Sequence, residues 1–443
     1  MSLQVRRLDT RSADFASALQ NLLAWEDDVD AGVAQAVGEI LRSVKRDGDL
    51  ALLELTARFD DFAPESIASV RIDAEAMSAA YEGLPQADRD ALVFAAERIR
   101  SYHQRQLEAQ GGEGFEYTDA MGNRLGQRVA PIERVGVYVP GGQAAYPSTV
   151  LMTVVPARVA GVNQVVMTVP TPKGNRAPLV LAAAHIAGVD QAFAVGGAQA
   201  IAAMAYGTET IPKVDKIVGP GGAFVAAAKR QVFGAVGIDV IAGPSEVLIV
   251  ADGTAPPDWM ALDLFSQAEH DAAAQALLVS PDADYLEAVA AAMERLLPQL
   301  ERASIIRQSI VARGALIKAV DLQECMELAA RIAPEHLELA IAEPGAWLDK
   351  VHNAGAIFLG ARSPEVMGDY SAGPSHVLPT FGTARFSSPL GVYDFVKRSS
   401  IIELSPAGSR ELAQTSAALA RGEGLDAHAR AAEARVDGFD HNA

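Results

Sequence analysis

Val135-Gly136-Val137-Tyr138-Val139, followed at once by Pro140-Gly141-Gly142, is the stretch that decides the fold class. Five residues with no polar alternation, stopped by a turn signal, read as a strand buried on both faces. The pattern repeats downstream. A helix is predicted over 148–160, a strand over 164–169, a helix over 179–187 and a strand over 191–195. Helix 198–206, strand 216–218 and helix 224–233 follow. Short apolar strands alternating with helices predict a parallel sheet covered on both sides. Glycines stand where the strands should end: Gly141-Gly142, Gly196-Gly197, Gly219-Pro220-Gly221-Gly222, then Gly243-Pro244-Ser245. Open α/β sheets bind ligands beyond the carboxyl ends of their strands. The series therefore predicts either a ligand-binding rim or plain strand-to-helix turns.

Outward from this block the alternation continues. Strands are predicted at 246–251, 276–280, 337–341 and 355–359, and helices at 258–269, 283–297 and 321–332. A second, similar lobe is expected. Before the block, residues 12–60 are helix-rich: Leu19, Leu22 and Leu23 with Trp25 could form one apolar stripe, and Val33, Val37, Ile40 and Leu41 form another. Residues 86–108 read as a long charged helix. Past residue 390 two helices, 410–421 and 425–434, read as an appended helical tail.

The chain has 443 residues, half of them hydrophobic, enough for a large core split over more than one domain. Its 37 basic and 56 acidic residues leave a formal charge of −19, which argues against nucleic acid or an anionic membrane as partner. Cys325 is the sole cysteine, so neither an intrachain disulfide nor a cysteine zinc site is available. Met1–Arg11 has no apolar signal core, and no run approaches 18 apolar residues. A soluble cytoplasmic protein is expected.

Candidate chemistry gathers around four histidines. Ser266-Gln267-Ala268-Glu269-His270 places an amide and an imidazole three residues apart at the close of an apolar helix, hence on one face. Such a pair suits a metal ion or polar ligand; the plainer reading is an exposed helix end. Glu335-His336, after Pro334, cannot offer two ligands on one helical face but could serve as two acid/base groups. Asp369 lies in a loop rich in Gly, Pro and Ser, seven residues before His376. Glu423 and His428 lie in the tail, where a solvated helix face is the plainer reading. Gln267, His270, Asp369 and His428 together would form an N/O ligand set suited to zinc, although spacing does not bring them together. The G-x-G-x-x-G, Walker, H-E-x-x-H and G-x-S-x-G signatures are all missing.

Seven motifs in order make the chain closely resemble the histidinol dehydrogenase family along nearly its whole length. They are Gly243-Pro244-Ser245-Glu246-Val247, Ser266 to His270, Ala333-Pro334-Glu335-His336-Leu337-Glu338, Gly368-Asp369-Tyr370, His376-Val377-Leu378-Pro379-Thr380, Ala384-Arg385-Phe386-Ser387-Ser388, and 423–428. The resemblance implies two NAD-dependent oxidations, from L-histidinol through histidinal to L-histidine. It implies zinc, one per subunit, held by Gln267, His270, Asp369 and His428. Glu335 and His336 match the acid/base pair. Ser245, His376 and Glu423 match substrate contacts, alongside His336 and the four metal ligands. Tyr138 and Gln199 match NAD contacts. A domain-swapped homodimer is implied, with Glu423 and His428 completing the partner's site.

The implied fold is α/β: two Rossmann-like lobes with parallel sheets and a small helical dimerisation tail. The expected division is an N-terminal helical arm 1–31, a zinc-carrying lobe 32–137 with 246–390, an NAD-contacting lobe 138–245, and a swapped helical domain 391–443. Two positions depart from the family pattern: Gly222 and Ser375 each stand where Asn is usual. The alternative within enzymes is a related zinc and NAD dehydrogenase acting on another small amino alcohol or diol. Such an enzyme should have replaced Glu423 and His376. A non-catalytic binding relative should have lost Glu335 or His336. All four residues are present.

Overall fold

The computed structural model describes residues 3–24, 31–110, 112, 114–141, 145–241 and 243–436. Trp25 and Gly142 lie outside the described residues. In chain order the strands are β1 (Arg6–Asp9), β2 (Arg71–Ile72), β3 (Gly114–Thr118), β4 (Arg124–Pro131) and β5 (Arg134–Tyr138). Then come β6 (Gln164–Thr168), β7 (Gln191–Phe193), β8 (Lys216–Val218), β9 (Gly237–Ile238) and β10 (Glu246–Ala251). The last five are β11 (Gln275–Ser280), β12 (Ala315–Lys318), β13 (His336–Ala340), β14 (Ala356–Leu359) and β15 (Val396–Glu403).

Two six-stranded sheets and a three-stranded sheet result. The first has the order β1-β12-β11-β10-β13-β14 and is parallel throughout. Its central strand β10, Glu-Val-Leu-Ile-Val-Ala, is buried at every position. Successive side chains point to opposite faces. Val247, Ile249 and Ala251 accordingly pack with Leu264, Val289 and Ile310 of three helices on one side. Leu248 and Val250 pack with Leu19, Met326 and Ile332 on the other. Each fully buried Val, Leu or Ile contributes roughly 1.5–3 kcal/mol. An apolar run without alternation is thus the pattern a doubly covered strand demands.

The second sheet has the order β2-β7-β6-β5-β8-β9, parallel except for the short antiparallel edge strand β2. The opening stretch of sequence forms its centre, β5, between β6 and β8.

The expected divisions shift at three places. Segment 1–31 is more than a helical arm: β1 is the edge of the first sheet, paired with β12. The helix Phe15–Leu23 buries Phe15, Leu19 and Leu22 against the same sheet's core. Segment 32–137, expected beside 246–390, supplies β2 and β5 to the second sheet. Its helices Ala31–Phe59 and Ala74–Gly83 also pack on that sheet's helices, because their apolar faces match there. Segment 391–443 is not wholly helical, since β15 pairs antiparallel along β4.

The chain divides into two compact units, residues 1–104 with 132–395, and residues 105–131 with 396–443. Both six-stranded sheets belong to the first. The second holds the β15-β4-β3 sheet and the helices Pro406–Gly422 and Asp426–Glu433. These two helices pack through Ala417, Ala420 and Ala429. Among the described residues no helix is long and apolar enough to cross a membrane.

Candidate active site

In the second sheet, functional candidates stand at the carboxyl edge. Tyr138 ends β5, and its hydroxyl accepts from the Gly197 N–H at 3.2 Å. Burial pushes its phenol up to about 12, so it stays neutral and hydrogen-bonding. Gln199, in the first turn of the helix Gly197–Tyr206, is buried, and its Nε2 has no partner among the described residues. After β8, Gly219 has φ +112°, and a Cβ there would stand 2.1 Å from the Tyr138 carbonyl oxygen. Only glycine allows that approach. The turn is clamped by a buried ion pair between Lys229 and Asp239. Lys229 also donates to the Gly219 carbonyl at 3.0 Å, and Asp239 accepts from the Gly219 N–H at 2.7 Å. A cavity of about 570 Å³ opens at the same edge, lined in part by Pro140, Thr171, Lys173, Asn175 and Arg176.

In the first sheet the candidates stand at the opposite, amino edge. Ser245 precedes β10 and Glu246 begins it; Glu335 precedes β13 and His336 begins it. Parallel pairing sets Val247 beside His336. Ala333, left-handed at φ 53°, ends the helix Leu322–Ile332 and turns the chain through Pro334 into β13. The expected turn after Pro334 therefore carries Glu335, whereas His336 is already in the sheet.

The backbone of Glu246 organises this edge. Its N–H donates to Glu335 Oε2 at 2.8 Å, and its carbonyl lies 3.0 Å from His336 Nδ1. A carbonyl only accepts, so Nδ1 carries a hydrogen, and in the neutral ring the lone pair is on Nε2. Nε2 has no hydrogen-bond partner and lies 3.6 Å from Asp369 Oδ1. Burial alone would lower the basicity of His336. The carboxylates of Glu335, Asp369 and Glu365 outweigh it and hold His336 well above the ordinary imidazole range. Burial pushes Glu335 to about 8, although the neighbouring imidazole opposes it. Burial would also raise Asp369, but His336, His376 and His270 hold it low.

The remaining predicted residues of the first unit lie around the same edge. Gln267 is buried in the last turn of the helix Pro257–Ala268, and His270 is exposed in the turn beyond. The Gln267 amide satisfies its surroundings in one orientation. Its nitrogen donates to both Glu365 carboxyl oxygens at 2.7 Å, and its oxygen accepts at 2.8 Å from the Glu246 N–H, which it shares with Glu335 Oε2. His376 Nδ1 lies 3.0 Å from the Asp369 carbonyl. Ser375 is buried, donating to the Met152 carbonyl at 3.3 Å and accepting from the Val377 N–H at 3.2 Å, so it holds the His376 loop without Asn. Gly222 caps the helix Ala223–Val232, and a Cβ there would meet nothing within 4 Å. Glu423 and His428 are exposed in the second unit.

Two residues at this edge were not singled out from the sequence: Glu246 and Glu365. Both are buried, and burial pushes them to about 7 and about 8. A glutamate heading the apolar run of β10 was the available signal for the first.

A family model described as histidinol dehydrogenase matches residues 24–436. The chain belongs to the histidinol dehydrogenase family. The histidinol dehydrogenase of Pseudomonas savastanoi pv. phaseolicola is 58% identical over 98% of this chain and 96% of its own length. That of Methylococcus capsulatus is 56% identical over 98% and 99%. The crystal structure of histidinol dehydrogenase from Elizabethkingia anophelis superposes with a TM-score of 0.89 at 34% identity, covering 98% of both chains. The α/β fold and the enzyme class expected from the seven motifs therefore stand.

The donors suit, in kind, the metal that the resemblance implies. Imidazole, carboxylate and amide oxygen are borderline-to-hard ligands, and the carboxylates around His336 favour a cation. Among the described residues no three His, Cys, Asp or Glu residues form a metal cluster. The expected set has only His270 and Asp369 of that class in the first unit; the others are an amide and a residue of the second unit.

Proposed function

We propose that the protein is a zinc-dependent L-histidinol dehydrogenase, oxidising L-histidinol through histidinal to L-histidine with two NAD. One observation carries the reading. His336 is buried, has its Nδ1–H spent on the Glu246 carbonyl, and keeps Nε2 free among carboxylates. That is the arrangement of a general base whose protonated form is stabilised.

His336 Nε2 takes the substrate hydroxyl proton as the carbinol hydride leaves. NAD, held at Tyr138 and Gln199, supplies the hydride acceptor in both oxidations. His336 then releases its proton to solvent. Glu335 takes a proton from water as the water oxygen adds to the aldehyde carbon and returns it to the former carbonyl oxygen, giving the hydrate and leaving Glu335 ionised. His336 takes a hydroxyl proton of the hydrate as the second hydride leaves. Gln267, His270, Asp369 and His428 of the partner subunit would hold zinc, which would supply a positive centre for orienting the substrate. Ser245, His376 and Glu423 of the partner subunit hold the rest of the substrate. The homodimeric arrangement and a cytoplasmic location belong to the same proposal, supported by the family and by the exposure of Glu423 and His428 in the single chain.

The test is NADH formation from L-histidinol before chelation, after it, and after zinc is restored. Two NADH per histidinol, lost on chelation and recovered with zinc, are expected. One NADH per histidinol, or turnover indifferent to chelation, overturns the reading.

A further inference from the structure

We propose that the buried Lys229–Asp239 pair is a positioning device for NAD, holding the turn Gly219-Pro220-Gly221-Gly222 in the shape that the cofactor meets. The inference rests on the reading of the second sheet's carboxyl edge as the NAD side and goes beyond it, since neither residue is itself an expected NAD contact. Both side chains are 2% exposed. Burying two charges is costly, and a buried pair often adds little net stability. What this pair adds is orientation.

Three parts of the chain meet at it. Gly219 follows β8, and Lys229 lies in the last turn of the helix Ala223–Val232 that the glycine turn opens. Asp239 follows β9, which parallel pairing sets beside β8. The Gly219 N–H donates to Asp239 Oδ2 at 2.7 Å, and Lys229 donates to the Gly219 carbonyl at 3.0 Å. The pair thus grips one residue by both of its backbone groups. Lys229 also donates to Asp239 Oδ1 and, at 3.0 Å, to the Val240 carbonyl, so every proton of the ammonium is used.

The grip does not depend on which partner holds the proton. Burial raises Asp239, and the ammonium beside it opposes the rise. A neutral amine would still have two N–H groups for the two carbonyls and a lone pair for the Asp239 hydroxyl, while Asp239 Oδ2 would still face the Gly219 N–H. Gly219 is also where a small displacement would spread furthest. It approaches the Tyr138 carbonyl so closely that a Cβ would stand 2.1 Å from that oxygen. A shift of Gly219 therefore moves the turn relative to Tyr138, a proposed NAD contact.

The test measures the KM for NAD, the KM for L-histidinol and kcat in Asp239→Asn, with Gln199→Ala in parallel. Asparagine keeps the shape of Asp239 but offers one acceptor oxygen to two donors. Either the Gly219 N–H or Lys229 then faces an N–H₂ group, and Gly219 loosens. The NAD KM should rise about 2–10-fold, the cost of one hydrogen bond, with the L-histidinol KM and kcat at saturating NAD unchanged. A merely structural role would lower the melting temperature and leave the NAD KM of the folded enzyme as it is. An unchanged NAD KM overturns the proposal, as does a rise shared equally by both KM values. If Asp239→Asn does not fold, Lys229→Arg takes its place. Arginine keeps the charge but spreads its donors over a rigid fork, which cannot serve three acceptors converging on one nitrogen. The same selective rise is expected there, and its absence overturns the proposal equally. Gln199→Ala separates the two ways of failing. If it raises the NAD KM and Asp239→Asn does not, the positioning role fails alone. If neither variant changes it, the reading of this edge as the NAD side fails, and the proposal with it.

Discussion

The two six-stranded sheets are built alike and gather their candidate residues at opposite edges. Both are mainly parallel, and the strands at their centres are buried. The second sheet offers its carboxyl edge, where Tyr138, the glycine turns and the starts of helices such as Gly197–Tyr206 meet. The first offers its amino edge, where Glu246, Glu335 and His336 meet the end of the helix Pro257–Ala268. Helix starts carry partial positive charge and favour phosphates; helix ends carry partial negative charge and favour cations and imidazolium. One fold type therefore yields an edge suited to an anionic dinucleotide and an edge suited to a metal and a protonated base. Gly243-Pro244-Ser245, expected as a strand end of the glycine series, belongs to the amino edge because it leads into β10.

The largest test of this contrast is His336→Ala. Removing the amino-edge base should lower kcat for both the histidinol and the histidinal oxidations by about 10²–10⁴-fold while leaving the NAD KM unchanged. Separate assays of the two half-reactions check it, and a normal rate in either would break the assignment of chemistry to this edge.

A smaller effect comes from pH. His336 must be neutral to accept a proton, and its carboxylate neighbours raise the pH at which it becomes so. Glu335, pushed to about 8 by burial, must be ionised to take a proton from water. Both conditions favour alkaline solution, so kcat/KM for histidinal should fall at least about tenfold per pH unit on the acid side, below about pH 8, and more steeply where both groups are protonated. Glu335→Gln should remove the hydration step and leave the first oxidation. A pH profile flat between 6 and 9, roughly the range where such groups titrate, would contradict the assignment.

The smallest effect belongs to the carboxyl edge. Gly222 has open space where a side chain would project. Gly222→Asn should lower the NAD KM by up to about tenfold, one added hydrogen bond being worth about 0.5–1.5 kcal/mol. Zinc affinity should not move. A change in zinc rather than NAD would show that the two edges are not functionally separate.

Much of the architecture was legible because apolar period and glycine punctuation are local signals. Residues 216–218 and 246–251 were read as the strands they form, and neighbouring helices within a residue or two. The β15-β4-β3 sheet was not legible. Its strands are short-range ambiguous, half-exposed and polar, and β4 meets a partner some 270 residues away. Glu365 was missed for a related reason: nothing adjacent in sequence marks a glutamate whose partners, Ser266, Gln267 and His336, come from two other elements.

The sequence by itself determined the alternation of strands and helices, the family, and the residue types available for proton transfer and metal binding, because each is written in local pattern or motif. Only the tertiary structure decided which edge of each sheet gathers the candidate residues, which His336 nitrogen faces the Glu246 carbonyl, and which way the Gln267 amide faces. Those depend on one backbone N–H, one carbonyl and one buried carboxylate brought together by parallel pairing, and no local pattern encodes where a distant hydrogen-bond partner will stand.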